Sequence, residues 1–202
     1  MEDTTLLGEL NLKLEAIDNL LLLIDNLLKQ VNKTLEDIGE FVIVNGPGSY
    51  AGIRMSLSAI KTLAFVKNIP LKTVNTVELM AYNFRVFPGL IVVAMESRKD
   101  EVNFGFFGGN PFNILISCET IEKRILYKKL EQIEGDYILV GDLKEIPEEF
   151  SAKYYVALPL AREAILLAFT KESVPLNEVM PIYSYPVNVN TNSKKKGIVY
   201  NK

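Results

Sequence analysis

Histidine is absent from all 202 residues, and cysteine occurs once, at Cys118. Without an imidazole, neither a Ser-His-Asp triad nor an HExxH zinc site can be assembled from this chain. A lone thiol with no base to activate it is a poor nucleophile. Cys118 also follows the apolar run FNILIS, so a packing role is expected. One cysteine excludes a disulfide within the chain, which suits a reducing compartment. Positive charge is short as well. Lys and Arg number 22 against 25 Asp and Glu, a net charge of −3, too little to hold nucleic acid by electrostatics alone. The single basic run, Lys194-Lys195-Lys196, sits in a polar tail and reads as a solvated segment or a minor phosphate contact. No stretch approaches the roughly 20 apolar residues of a bilayer span. The start, MEDTTLLGEL, is acidic rather than signal-like. A cytoplasmic protein without a membrane segment is expected. No Asp/Glu cluster marks a carboxylate metal site, and no cofactor is expected.

What the chain does have is hydrophobic content, 49%, enough for one packed domain or two lobes sharing a core. Leu10, Leu12 and Leu14 alternate, predicting a strand over 5–13. Residues 15–31 carry the strongest helical pattern. Ala16, Ile17, Leu20, Leu21, Leu23, Ile24, Leu27, Leu28 and Val31 fill one arc, and Leu22 projects from the opposite, polar arc. Leu22 is either a scattered surface leucine or a contact for another chain.

An apolar strand, Phe41–Val44, runs into Asn45-Gly46-Pro47-Gly48, and Ser49 can cap a helix reaching Val66. That helix shows a core stripe of Tyr50, Ile53, Leu57, Ile60 and Ala64. A second stripe, Gly52, Ser56, Ala59 and Leu63, is mostly small and would let a neighbouring helix approach closely, within the chain or from a partner. Strand and helix then alternate: PLKTV, a helix over 77–83, the buried strand GLIVVAM, a pair EVNFGFFGG and FNILIS joined by Gly-Asn-Pro, a helix over 122–133, the strand YILVG and a helix over 160–170. This order predicts α/β layers in two lobes dividing near residues 82–88.

The Gly46–Ser49 turn has two readings. Glycines between a strand and a helix can present N–H groups to an anion. Yet there is no Gly-Lys-Ser/Thr ending, and Pro47 removes a donor. A turn shaped for packing explains the same residues.

The stretch NGPGSYAGIRMSLSAIKTLAF resembles the Gly-Pro-Gly-Ser-Phe-Thr-Gly-Ile-Arg signature of the TsaB (YeaZ) family. Gly46, Pro47, Gly48, Ser49, Gly52, Ile53 and Arg54 match, while Tyr50 and Ala51 replace Phe and Thr. The following IPLKTVNTVELMA also resembles the family. ESRKDEV is similar to its Asp-Ala-Arg-x-x-Glu-Val segment with Glu96 for Asp, and PIYSY is similar to its Pro-x-Tyr-x-Arg with Tyr185 for Arg. The resemblance implies an actin-like, Hsp70-like ATPase fold related to ribonuclease H. It implies an N-terminal lobe over 1–84, a C-terminal lobe over 85–186 and a polar tail over 187–202. The family's opening strand with its Asp-Thr-Ser turn has no counterpart, so the first one or two strands of the fold are expected to be missing. Where the family often has His-Ser-Glu this chain has Ala16-Ile17-Asp18, and Leu22 stands at a family proline.

The resemblance further implies a non-catalytic scaffold that binds the TsaD-type ligase making threonylcarbamoyladenosine at position 37 of tRNA. Within that complex a TsaE-like ATPase is a further partner, the protein alone forms a homodimer, and tRNA is met only indirectly. The expected interface uses Leu22, Tyr50, Gly52, Arg54, Ser56 and Ala59; Arg54 is either a partner contact or a solvated arginine at a helix start. Two other readings stay open. One is an ATP-dependent small-molecule kinase of the same fold, for which Gly141-Asp142 is the only other glycine-acid turn at a strand end. The other is a free-standing homodimer with a separate binding role.

Overall fold

The computed structural model describes residues 5–12 and 19–184. Its first half is a helix, α1 (Leu20–Gln30), followed by a β-α-β unit: β1 (Phe41–Gly46), α2 (Tyr50–Lys67) and β2 (Leu71–Asn75). The two strands run parallel, Phe41 opposite Leu71 and Val44 opposite Val74. A parallel pair needs a crossover, and α2 supplies it. Local chemistry sets its ends. The Ser49 hydroxyl accepts from the Gly52 N–H at 3.3 Å. At the far end Asn68 adopts the left-handed conformation (φ 51°), and the Ile69 N–H returns to the Ala64 carbonyl at 3.0 Å.

The next helix, α3 (Thr76–Tyr82), begins directly off β2. Asn75 caps it by accepting from the N–H groups of Val77 and Glu78. Five strands follow in the order β5-β4-β3-β6-β7: β3 (Leu90–Glu96), β4 (Glu101–Gly108), β5 (Asn113–Glu122), β6 (Tyr137–Gly141) and β7 (Tyr154–Val156). The first three form an antiparallel meander. Helix α4 (Lys123–Glu131) then carries the chain across, so that β6 joins β3 in parallel. A short α5 (Glu148–Ser151) precedes β7, and α6 (Ala161–Ala168) closes the order.

Both faces of the five-stranded sheet are covered, which is why β3 and β6 read as continuous apolar runs. Ile91, Val93 and Met95 meet Val77, Met80 and Ala81 of α3. Val92 and Ala94 meet Leu126 and Leu130 of α4 and Phe150 of α5. The two-stranded sheet is covered by α2 on one side, through Ile53, Leu57 and Ala64. On the other it is covered by Ala164, Leu167 and Ala168 of α6 together with Leu79 of α3. Helix α3 is therefore shared between the sheets, and its residues Thr76 to Ala81 are all buried.

Three expectations differ from what is observed. Residues 5–12 form no strand: Thr5 makes one isolated bridge, and Leu6, Leu7, Leu10 and Leu12 are 38–50% exposed. Alternation alone does not make a strand where no described neighbour offers a ladder. In α1, Leu21 shares the exposure of Leu22 (55% and 57%) although the pattern put it on the apolar arc. The short α5 and β7 carry too few residues for a periodic signal. The Ala16-Ile17-Asp18 positions, Tyr185 and the 187–202 tail lie outside the described residues.

Candidate functional site: the Gly-Pro-Gly-Ser turn and its flanking helices

Asn45, next to last in β1, is almost fully buried, 8% exposed. Its side-chain amide donates to the Met180 carbonyl at 3.0 Å, and its own carbonyl accepts from the Ile182 N–H at 2.8 Å. Gly46 follows with φ +114°, and a Cβ there would overlap the Ile182 carbonyl oxygen. Only glycine satisfies both conditions. Pro47 is buried, and the Ser49 hydroxyl is taken by Gly52. Asn45 and Gly46 are thus fitted to the chain's own residues 180–182, and Ser49 to the start of α2.

On α2 the environment is graded in three stripes. Ile53, Leu57 and Ala64 are buried. Gly52, Ser56, Ala59 and Leu63 are half-buried. Ala51, Met55, Ser58, Thr62, Phe65 and Val66 are exposed, Phe65 by 77% and Val66 by 69%. Gly52, Ser56 and Ala59 therefore lie on a shoulder between core and solvent. The Ser56 hydroxyl turns back to the Gly52 carbonyl at 2.8 Å, which leaves that shoulder with an apolar outer surface. Tyr50 and Arg54 come together one turn apart. The guanidinium donates to the Tyr50 hydroxyl at 2.5 Å, its Cζ lies 5.2 Å from the ring centroid, and the ring packs on Tyr183 with centroids 5.0 Å apart. The tyrosine ring and hydroxyl thus hold the Arg54 guanidinium near the start of α2.

Leu22 lies on α1, a helix of eleven residues that is rich in leucine and has no buried side chain. The open stripe through Met55, Phe65 and Val66 goes beyond the residues expected from the sequence. Its signal was available in the i, i+4, i+7 recurrence of 51, 55, 58, 62 and 65/66.

The glycine-acid turn after β6 is engaged elsewhere. Asp142 Oδ1 accepts from the Glu96 N–H at 2.6 Å, tying the ends of β6 and β3. Glu96 in turn pairs with Lys123 at 2.6 Å and accepts from the Lys144 N–H at 3.3 Å. Burial first, and then the Glu96 charge, push the Asp142 carboxyl above its usual range. Cys118 is half-buried, and desolvation raises its thiol to about 11, against a smaller lowering by the Asn75 side chain. It is a protonated thiol at neutral pH. Among the described residues no group of three or more His, Cys, Asp or Glu could hold a metal ion. No described helix is long and apolar enough to cross a membrane.

A family model described as TsaD, tRNA N6-adenosine threonylcarbamoyltransferase, matches residues 15–110. The protein from Buchnera aphidicola subsp. Schizaphis graminum named tRNA threonylcarbamoyladenosine biosynthesis protein TsaB is 29% identical over 175 residues, 82% of this chain and 83% of that protein. The chain is similar to proteins named TsaB over most of its length. The TsaB of Bacillus subtilis is 34% identical over 84 residues, 42% of this chain and 37% of that relative's length. The fold is that of YeaZ from Pseudomonas aeruginosa, with a TM-score of 0.66 at 19% identity over 86% of each chain.

Proposed function

We propose that the protein is a TsaB-type, non-catalytic subunit of tRNA threonylcarbamoyladenosine biosynthesis, docking a TsaD-type threonylcarbamoyltransferase through α1 and α2. The observation that carries this reading is α1 itself: an apolar helix with no buried residue, in contact with α2, whose small-residue shoulder is half-buried. Apolar surface of this extent calls for a partner. A second helix pair packed on it would bury about 1,200–2,000 Å², the usual size of a stable complex. Leu22, Tyr50, Gly52, Arg54, Ser56 and Ala59 are assigned to the contact, joined by Leu21 and Met55. Gly46–Ser49 serves as a structural turn that aims α2.

The non-catalytic assignment rests on chemistry. The only thiol is protonated, histidine is absent, and Asp142 is committed to β3. The relatives' names place them in threonylcarbamoyladenosine biosynthesis. The same face serves a second copy when the ligase is absent, and a TsaE-type ATPase joins the assembly. With a net charge of −3, contact with tRNA falls to the other subunits. The setting is the cytoplasm, and the division into lobes near residues 82–88 separates the docking half from the five-stranded half. Co-purification with a TsaD-type ligase, lost in Gly52→Leu while the variant remains folded, tests the reading. Undiminished binding by that variant overturns the assigned face.

A further inference from the structure

We infer that Val179–Ser184 is a latch whose seating is thermodynamically coupled to occupancy of the α1–α2 face; this rests on the docking role proposed above. The segment belongs to no helix or strand, yet nearly every residue is held by a different part of the molecule. Val179 is 2% exposed, inside the core of β1 and α2, and its carbonyl accepts from Lys61 Nζ of α2 at 3.0 Å. Met180 and Ile182 bond to the side chain and backbone of Asn45. The Ile182 carbonyl fills the space beside Gly46. Tyr183 packs on Tyr50. The Thr120 hydroxyl of β5 donates to Asn103 Oδ1 of β4 at 2.9 Å, and the Ser184 carbonyl lies 3.4 Å from the same hydroxyl oxygen. Val179, Met180, Ile182 and Tyr183 thus hold α2 and its entry turn, and Ser184 brings the segment up to β5 of the other sheet.

The coupling follows from one shared residue. Tyr50 packs on the latch through Tyr183 and is still 46% exposed on the proposed docking face. A partner covering Tyr50 and Arg54 holds that ring against Tyr183 and keeps water from the seat. Leaving the seat frees the ring and relaxes the Asn45–Gly46 turn that aims α2. By linkage, whatever factor the partner adds to latch stability, latch release removes from partner affinity.

The test uses the full chain and a TsaD-type ligase, with amide hydrogen exchange read over 179–184 and over Gly52–Arg54. The ligase is expected to slow exchange of the latch by about fivefold or more. Gly46→Ala, which thrusts a methyl at the Ile182 carbonyl, is expected to speed latch exchange and weaken ligase binding by a matching factor. Tyr183→Ala, a milder change, stands in if Gly46→Ala does not fold. Variants with a fast-exchanging latch but wild-type ligase affinity overturn the inference. If the wild-type protein binds no ligase at all, the docking role falls, and the isolated variants decide the latch. Faster exchange at Gly52–Arg54 when the latch is loosened supports it; unchanged exchange there removes it.

Discussion

The carbonyl oxygen of Ile182 occupies the space that a side chain on Gly46 would need. Three glycines separate the two penalties at this position. Gly39 has open space and an ordinary backbone, Gly135 has open space at φ +97°, and Gly46 combines φ +114° with the blocked site. Alanine at 39 is expected to change stability by no more than about 0.5 kcal/mol. At 135 the backbone term alone should cost about 1–3 kcal/mol. At 46 the overlap adds to it, for a total of about 2–5 kcal/mol. Urea denaturation of the three variants measures the series. A Gly46→Ala loss no larger than that at 135 would show that the Ile182 contact yields freely.

That relationship was not legible in the sequence, and the reason is physical. The β1-α2-β2 unit and α3 announce themselves through local devices: an apolar run, Ser49 as a cap, Asn75 as a cap. The meander of β3, β4 and β5 shows in its apolar runs and the Gly-Asn-Pro turn. Residues 179–184 have no periodicity, and Met180 finds its partner Asn45 at a separation of 135 residues. Pattern reading finds the core stripe and the small-residue stripe of α2 but not the third, exposed one. Which of them faces water depends on where α1 packs, and that is tertiary. For α1 the residue spacing finds an apolar arc but not what covers it, and Leu21 lies on that arc yet is exposed.

Leu22 and Leu57 should behave as opposites. Leu57 is 4% exposed in the core between α2 and β1, and truncation to Ala leaves a cavity costing about 2–5 kcal/mol. Leu22 is 57% exposed. Leu22→Glu is expected to leave the unfolding free energy within about 0.5 kcal/mol of wild type while weakening ligase binding about tenfold or more, because it buries a charge in an apolar contact. Thermal unfolding and titration calorimetry give the two readouts. A destabilised Leu22→Glu that binds normally would place Leu22 in the fold rather than in an interface.

Several groups tie stability to pH with the same sign. Burial, with the Glu96 charge, raises Asp142 above 3.8. The folded state therefore holds that proton longer than the unfolded chain, and this contribution is present below about pH 4 and lost as pH rises through the raised value. Asp142→Asn should match wild type in strong acid and gain on it toward neutrality; the carboxyl is only partly withdrawn from water, which keeps the difference small. Lys123 is raised from 10.5 by its bond to Glu96, and Tyr127 and Tyr154 are raised from 10.0 by burial. Their contributions persist up to about pH 10 and fall as pH climbs through the raised values. Chemical denaturation from pH 3 to 11 checks both windows. A variant whose gain over wild type shrinks as pH rises from 4 to 7 contradicts the assignment for Asp142.

Cys118 reports on the junction between the two sheets without any substitution. Its thiol is raised from 9.0 to about 11, chiefly by desolvation, so at pH 8 its thiolate population is about 100-fold below that of an exposed cysteine. Native alkylation by iodoacetamide should be markedly slower than that of an exposed cysteine, because the thiolate is scarce and access is restricted. Denaturation in urea should restore the ordinary rate. Asn75→Ala removes the side chain that lowers the thiol pKa and also the cap that accepts from Val77 and Glu78. Two effects then compete. The native thiolate fraction falls further, while loss of the cap destabilises α3 by about 1 kcal/mol and raises the share of molecules in which the sheet junction opens. If alkylation proceeds through opening, Asn75→Ala should react faster than wild type, and the acceleration should track its loss of stability. A rate that instead falls with the thiolate fraction would mean that the reagent reaches Cys118 in the closed structure.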